Sequence, residues 1–202
     1  MIKNVIFDIG NVLVDFRWRA LMEDLKLSEE TRAVFQKSVF GSPLWAELDH
    51  GVYEEAEILE KFREENRAHL DAFNLVWDNR DKLVEPYAYA KEWIAQLKSR
   101  GLQVYLLSNY PRDMFTLHAE RGSFPFLDAV DGKVVSGFVR MVKPNADIYA
   151  HLLNEYHLKE SESVFIDDRE ENVEAAKDLG INGIVFENYE QACAALEKLI
   201  GH

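Results

Sequence analysis

Four apolar runs rich in β-branched and aromatic residues constrain the fold of this chain more than any other feature. They are Val5-Ile6-Phe7, Val104-Tyr105-Leu106-Leu107, Val164-Phe165-Ile166 and Gly183-Ile184-Val185-Phe186. Each run is continuous rather than alternating, which is typical of parallel strands buried on both faces. Helical stretches at roughly 87–100, 145–157, 170–179 and 189–200 alternate with them. This order predicts an α/β fold with a doubly wound, mostly parallel sheet and right-handed crossovers.

Residues 16 to about 84 interrupt the alternation of strand and helix. They show helical periodicity in WRALMEDL, ETRAVFQKSVF and EEAEILEKFREEN, with no apolar run as strong as the four strands. We therefore predict a core domain formed by residues 1–15 and 86–202, with a helical insertion at 16–85. The segment DGKVVSGFVRMVKP at 131–144 has short alternating runs around Ser136-Gly137, which predict a hairpin or an extended loop.

The formal net charge of −13 restricts the partners of the chain. It opposes binding to nucleic acid or to an anionic membrane through a basic surface. The chain has no run of about 20 apolar residues and no long apolar segment at its N-terminus, so we expect a cytoplasmic protein. The charge also repels phosphorylated substrates, so a site for them needs local positive potential from a metal, a lysine or a helix N-terminus.

Polar residues follow the predicted strands, where α/β sheets bind their ligands. The first run ends in Asp8-Ile9-Gly10-Asn11, the second in Ser108-Asn109 and the third in Asp167-Asp168, and Lys143-Pro144 opens a later helix. Adjacent carboxylates at a buried strand end repel each other and require a cation or hydrogen-bond donors. Asp8 joins them at the same edge if the two strands are neighbours.

Three carboxylates and a backbone carbonyl, with the remaining positions left to water and phosphate, suit Mg²⁺. Lys143 and Ser108 would then donate hydrogen bonds to phosphate oxygens. The set contains a nucleophile, a metal site and phosphate donors, which are the parts that phosphoryl transfer requires.

The motifs together resemble those of a known superfamily. With h for an apolar residue, hhhFDIGNVLV, hhLLSN, Lys-Pro-x-x-x-Ile-Tyr and hFIDDxxxNhxxAxxxG are similar in order and spacing to the four motifs of the haloacid dehalogenase superfamily. The resemblance covers nearly the whole chain and implies a Rossmann-like core. The insertion before Pro86 resembles the C1 cap of subfamily I. The residues within the motifs are similar to those of the bacterial sugar-phosphatase branch of the glucose-1-phosphate type. This resemblance implies Mg²⁺-dependent hydrolysis of a small phosphorylated metabolite, with a sugar phosphate as the expected substrate in that branch.

The resemblance also implies a role for each acidic motif residue. Asp8 would be the nucleophile, forming an aspartyl-phosphate, and would ligate the metal through its second oxygen. Gly10 would ligate Mg²⁺ through its carbonyl. Asp168 matches the principal acidic ligand, and Asp167 would be a second ligand or an orienting group.

The remaining motif residues are implied to act on the phosphate. Ser108 and Asn109 would hold the transferring phosphoryl group, and Lys143 would neutralise Asp8 and the phosphate together. Asn172, one helical turn beyond Asp168, would brace the metal loop.

Gly10 departs from the pattern of the superfamily, whose phosphatases usually carry there a second Asp that acts as general acid and base. Loss of such a group typically lowers the rate by about 10²- to 10⁴-fold. Three explanations stay open. The first is that the proton comes from the cap, from Asp15 or from water, and we favour this explanation because the other motif residues are retained. The second is that the chain is a dehalogenase. The third is that it is a binding or regulatory protein without turnover.

A helical cap over the strand ends would exclude water and select the substrate. Candidates for substrate contact cluster around Gly51 in PLWAELDHGVY, and they are Trp45, Glu47, Asp49, His50 and Tyr53. The alternative is that the two aromatic residues belong to the core and that the two acids form a solvated face.

Overall fold

A computed structural model describes residues 1–201 of the 202-residue chain. Its strands are β1 (Asn4–Phe7), β2 (Val14–Phe16), β3 (Val84–Pro86), β4 (Gln103–Ser108), β5 (Gly132–Val135), β6 (Ser163–Asp167) and β7 (Asn182–Val185). Five of them form one parallel sheet in the order β5-β4-β1-β6-β7. All four predicted apolar runs are strands of this sheet. Because β1 lies between β4 and β6, the residues that follow these three strands emerge side by side.

The α-helices of residues 1–201 fall into two groups. Those between β2 and β3 are α1 (Trp18–Asp24), α2 (Glu29–Phe35), α3 (Pro43–His50), α4 (Glu55–Glu65) and α5 (Leu70–Asp78). The later ones are α6 (Ala90–Ser99), α7 (Arg112–Glu120), α8 (Ser136–Val139), α9 (Ala146–Glu155), α10 (Glu170–Asp178) and α11 (Tyr189–Ile200). Within residues 1–201, every helix is too short or too polar to cross a bilayer.

Helices cover both faces of the sheet. Val5 and Phe7 of β1 pack in one apolar cluster with residues of α6, α7 and α11, among them Trp93. Ile6 lies in the other cluster, with residues of α9 and α10 such as Tyr149. Successive side chains of a strand point to opposite faces, so the two clusters are the two sides of a doubly wound sheet.

A short antiparallel pair of strands stands at the two ends of the helical insertion. Val14 of β2 lies opposite Pro86 of β3, and Phe16 lies opposite Val84. The sequence did not predict these strands, because three residues are too few to show a period. Helices α1 to α5 lie between them, whereas the division into a core at 1–15 and 86–202 and a cap at 16–85 stays a prediction.

The hairpin or extended loop predicted around Ser136 is wrong. The chain instead forms β5, which is parallel to β4 at the edge of the sheet, and then turns directly into α8. The backbone N–H of Tyr110 donates to Ser136 Oγ at 2.8 Å. A Cβ at Gly137 would lie 2.4 Å from the backbone nitrogen of Arg112. Glycine is therefore needed for this close contact between α8 and the start of α7.

Candidate active site

Three carboxylates converge at the carboxyl ends of β1 and β6. Asp8 follows β1, Asp167 ends β6 and Asp168 comes next. The two strands are parallel neighbours, with Phe7 opposite Ile166. One oxygen from each carboxylate lies within 4.8 Å of the others. The structure therefore brings together the three acids that the motifs singled out.

A buried ammonium group lies between two of these acids. Lys143 Nζ is 2.9 Å from Asp8 Oδ1 and 2.6 Å from Asp167 Oδ2, and its side chain is only 1% exposed. It also donates to the carbonyl of Leu107 at 2.9 Å. Burial lowers the pKa of Lys143, but the two carboxylates outweigh this effect and raise the pKa above its ordinary value. The lysine therefore stays charged at neutral pH.

The carboxylate of Asp167 is fully engaged by protein donors. Its Oδ1 accepts from the backbone N–H of Arg169 at 2.8 Å and from Asn172 Nδ2 at 3.0 Å. Its Oδ2 accepts from Lys143 Nζ at 2.6 Å and from Asn172 Nδ2 at 3.1 Å. A carboxylate offers about four lone-pair sites, and here all are used. This arrangement favours the orienting role for Asp167 over the role of metal ligand.

The other two acids keep oxygen atoms free. Within the described residues 1–201, the buried Asp8 Oδ1 accepts no hydrogen bond of normal geometry, although it forms the ion pair with Lys143. Asp168 accepts one hydrogen bond from Asn11 Nδ2, at 3.0 Å.

Burial raises the pKa of two of these acids. The pKa of Asp8 rises to about 6, Lys143 opposes the rise, and repulsion from Asp167 and Asp168 adds to it. Burial also raises the pKa of Asp168, while the hydrogen bond from Asn11 opposes the rise. Three carboxylates beside one buried lysine leave an excess of negative charge. Oxygen donors with unbalanced charge fit a hard divalent cation.

Ser108, which ends β4, and Asn109, which follows it, occupy different surroundings. Asn109 Nδ2 donates to the carbonyl of Lys143, and Asn109 Oδ1 accepts from the Lys143 N–H, both at 2.9 Å. Its amide thus holds the Lys143 backbone next to the strand end. Ser108 is buried as the last residue of β4, opposite Val135. A direct phosphate contact by Ser108 or Asn109 stays a prediction.

A cavity of about 250 Å³ opens over these groups and is lined by both polar and apolar residues. The polar lining residues include Asp8, Gly10, Asn11, Asp49, Lys143, Asp168 and Arg169. The apolar and aromatic ones include Phe16, Phe40, Trp45, Val84, Tyr110 and Met114. The ring centroids of Phe40 and Trp45 are 5.1 Å apart, and those of Phe16 and Trp45 are 5.6 Å apart. Three rings from the insertion and its entry strand thus form one wall.

Two of the five residues proposed around Gly51 line this cavity. They are Trp45 and Asp49, one turn apart on α3. The other three face elsewhere: Glu47 pairs with Lys61 at 3.4 Å, His50 Nε2 lies 3.1 Å from the carbonyl of Arg140, and Tyr53 is 50% exposed.

Sequence reasoning gave no role to several residues that line the cavity, among them Asn11, Arg169, Phe16 and Phe40. Asn11 stands in the first motif and Arg169 directly follows Asp168, so their position after a strand end was a usable signal. Phe16 and Phe40 carry no such signal, because they are far apart in the sequence and meet only through the packing of the insertion.

Comparison with known proteins identifies the family. The model of haloacid dehalogenase-like hydrolases matches residues 2–180. The chain belongs to this hydrolase family. The hydrolase is 26% identical over 199 residues to a sesquiterpene phosphatase from Aspergillus oryzae, covering 98% of this chain and 97% of that protein. It is 28% identical over 206 residues to D-ribitol-5-phosphate phosphatase from Bacteroides thetaiotaomicron, covering 93% of each.

A solved structure confirms the predicted fold class. It is a haloacid dehalogenase family enzyme from Bacteroides thetaiotaomicron in complex with magnesium and inorganic phosphate. The TM-score is 0.73 at 20% identity, and the match covers 95% of this hydrolase and 99% of the other chain. The predicted superfamily is confirmed as well, whereas the C1 type of the cap stays a prediction.

Proposed function

We propose that this hydrolase is a Mg²⁺-dependent phosphomonoesterase that acts through an aspartyl-phosphate at Asp8. The observation that carries the proposal is the buried Lys143 between Asp8 and Asp167, beside a third acid, at the mouth of a cavity. Two relatives of similar length are named phosphatases, and a structural neighbour holds magnesium and phosphate. These matches support the same chemistry here.

The free oxygens of the site are suited to the metal. Asp8, Asp168 and the carbonyl of Gly10 would hold Mg²⁺, and Asp167 would orient Lys143 instead of binding the ion. When bound, Mg²⁺ would act as a Lewis acid that stabilises negative charge on the phosphoryl oxygens.

The residues of the chain account for the attack on phosphorus. Two anions, Asp8 and the substrate phosphate, have to approach each other, and the Lys143 ammonium lowers their repulsion. Asp167 and Asn109 hold this lysine from two sides, so the positive charge is preorganised. Nucleophilic attack by Asp8 then divides the hydrolysis into formation and breakdown of a phosphoenzyme.

The two alternatives are less well supported. A dehalogenase needs no divalent cation, and the excess negative charge of Asp168 beside Asp8 would then have no counter-ion. A binding protein without turnover would retain the same site, so it is distinguished by turnover alone. Phosphate release is therefore the deciding measurement.

The substrate class has two candidates. A sugar phosphate is the class that the resemblance of the motif residues predicts, and one relative is named for a sugar-alcohol phosphate. The aromatic wall of Phe16, Phe40 and Trp45 favours a second class, phosphate esters with a hydrocarbon or planar aromatic group. Burial of such a group against aromatic rings contributes roughly 25 cal/mol per Å² of apolar surface.

A panel of phosphate esters tests the function and the substrate class together. We expect Mg²⁺-dependent phosphate release that chelator abolishes. We also expect kcat/KM to rise from glycerol phosphate to hexyl phosphate and farnesyl phosphate, since the longer groups bury more apolar surface. Trp45→Ala should reduce this preference while glycerol phosphate hydrolysis changes little. A sugar phosphate ranking above all hydrocarbon esters would reject the second class, and release unaffected by chelator would reject the proposed function.

Metal binding should depend on pH in a defined direction. The pKa of Asp8 is about 6 in the metal-free protein, so protons compete with Mg²⁺ below that pH. At a hundred times Kd, Mg²⁺ is expected to raise Tm by about 5 to 10 °C at pH 7.5 and by less at pH 5. Thermal melting with Mg²⁺ or chelator measures this shift. Asp168→Asn should remove the shift and exposed Asp71→Asn should keep it; an unchanged shift in Asp168→Asn would contradict the assigned ligands.

A further inference from the structure

We propose that Asp49, contributed by the helical insertion, is the general acid and base of this hydrolase and replaces the group that Gly10 lacks. The inference rests on the proposed function and assigns the proton transfers of that reaction. It depends on where α3 places the carboxylate, what holds it there and what surrounds it.

The first observation is the position of Asp49 at the cavity. Asp49 lies in the last turn of α3 and lines the same cavity as Asp8, Lys143 and Asp168. Within residues 1–201 its carboxylate makes neither a hydrogen bond nor an ion pair, whereas Glu47 of the same helix pairs with Lys61. The carboxylate of Asp49 is therefore free to act on a bound molecule.

The second observation is that the end of α3 is fixed against the core. Ser136 Oγ donates to the backbone carbonyl of Asp49 at 2.5 Å. Gly51 has a φ of 66°, and a Cβ there would lie 2.6 Å from the carbonyl oxygen of Gly137. Only glycine permits this approach without strain. Asp49 is thus held in a defined position relative to the strand ends.

The electrostatic surroundings of Asp49 suit proton exchange near neutral pH. Burial raises the pKa of Asp49 to about 7, the charge of Asp8 adds to the rise, and Lys143 and Arg169 oppose it. The other titratable groups of the cavity lining are Asp168 and Tyr110. A group with a pKa near the working pH can both donate and accept a proton, which is the requirement for general acid–base catalysis.

The proposed steps balance in atoms and charge. Protonated Asp49 donates its proton to the leaving oxygen while the bond from Asp8 to phosphorus forms and the ester P–O bond breaks. The alcohol leaves, and Asp49 is a carboxylate. It then accepts a proton from water as the water oxygen attacks phosphorus. The bond to Asp8 breaks, phosphate is released, and Asp49 is again protonated.

The space around Gly10 allows a test in which the acid–base carboxyl group is moved from position 49 to position 10. A Cβ at Gly10 would meet no atom of residues 1–201 within 4 Å. The backbone at position 10 therefore has room for a Cβ, and an aspartate there would restore the arrangement that is usual in the superfamily. Gly10→Asp can consequently be combined with loss of the Asp49 carboxyl group.

The experiment compares two substrates with different leaving groups. For Asp49→Asn, we expect kcat/KM for hexyl phosphate to fall by about 10²- to 10⁴-fold. Nitrophenolate release from p-nitrophenyl phosphate in the first turnover should fall by less than about tenfold, because this leaving group needs no proton. A nitrophenolate burst should follow, since the phosphoenzyme loses the base for its hydrolysis. Equal losses on both substrates would overturn the acid role.

Three further variants complete the test. Gly10→Asp combined with Asp49→Asn should recover at least tenfold on hexyl phosphate, and the absence of recovery would count against acid–base chemistry. Exposed Asp71→Asn should behave as wild type. Asp15→Asn tests the rival proton source, and a loss there in place of Asp49→Asn would overturn the proposal. If Asp8→Asn is inactive and Asp49→Asn is fully active, the proton assignment fails and the phosphatase function stands.

A stability measurement shows that Asp49→Asn is folded. The folded-state pKa of Asp49 lies above its ordinary value of 3.8, so its ionisation destabilises the fold as pH rises from about 4 to about 7. In chelator, the Tm of Asp49→Asn minus the Tm of wild type should therefore be larger at pH 8 than at pH 5. A variant that melts below wild type at pH 8 would contradict the half-buried, unpaired position of the carboxylate within residues 1–201.

Discussion

Asp8→Asn is expected to lower Mg²⁺-dependent phosphate release by at least about 10⁴-fold, because an amide cannot replace the attacking carboxylate. The substitution keeps the shape of the side chain. Lys143 keeps Asp167 as its ionic partner, at 2.6 Å, so the variant should fold. The loss would then reflect chemistry alone.

The measurement is phosphate release at saturating Mg²⁺, together with acid quenching to trap the phosphoenzyme. Wild type should carry an alkali-labile phosphate on Asp8, and Asp8→Asn should carry none. Asp71→Asn, which changes an exposed acid of α5, serves as the matched control and should retain full activity. Retention of more than about a hundredth of the activity in Asp8→Asn would exclude the nucleophile assignment.

Lys143→Met is expected to reduce the free energy of unfolding by about 3 to 5 kcal/mol at pH 7.5 in chelator. The substitution leaves Asp8 and Asp167 buried with no cation between them, and an uncompensated buried charge is strongly destabilising. The effect should shrink at pH 5, because protonation of Asp8 removes one of the two charges. Urea denaturation at both pH values measures the difference.

Two comparisons separate charge from packing in this prediction. Adding Asp167→Asn to Lys143→Met removes one unpaired carboxylate and should restore part of the stability. Lys61→Met is the matched control, since Lys61 is half-exposed and pairs with Glu47 at 3.4 Å. Exposed pairs contribute at most about 1 kcal/mol, so the control should stay near wild type. Equal losses in Lys61→Met and Lys143→Met would contradict the special role of the buried ammonium.

Much of the fold could be predicted because most strands of the main sheet are continuous apolar runs. The continuous apolar runs of β1, β4 and β6 indicate burial on both faces, which only a parallel sheet covered by helices provides. Strand β5 and the pair β2–β3 were not predicted. None of the three contains a continuous apolar run, and their pairing depends on partners that are distant in the sequence. The alternation before Gly137 therefore suggested a hairpin where the structure has a parallel strand and a helix.

Part of the candidate site could likewise be predicted from the sequence and part could not. Asp8, Asp167 and Asp168 were predictable because parallel neighbours place their carboxyl ends at one edge. That Asp167 is saturated by Lys143 and Asn172 was not predictable, since hydrogen-bond partners depend on side-chain directions. The motif pattern alone left both the ligand role and the orienting role open.

The sequence by itself determined the α/β class, the family and the acids at the strand ends, because apolar patterns and motif spacing involve residues that are close together in the chain. Only the tertiary structure decided that Asp49, Phe16, Phe40 and Trp45 share a cavity with Asp8. The physical reason is that these four residues reach the cavity through contacts between the insertion and the core. Such contacts, like that of Gly51 with Gly137, join residues far apart in the chain and leave no periodic signal.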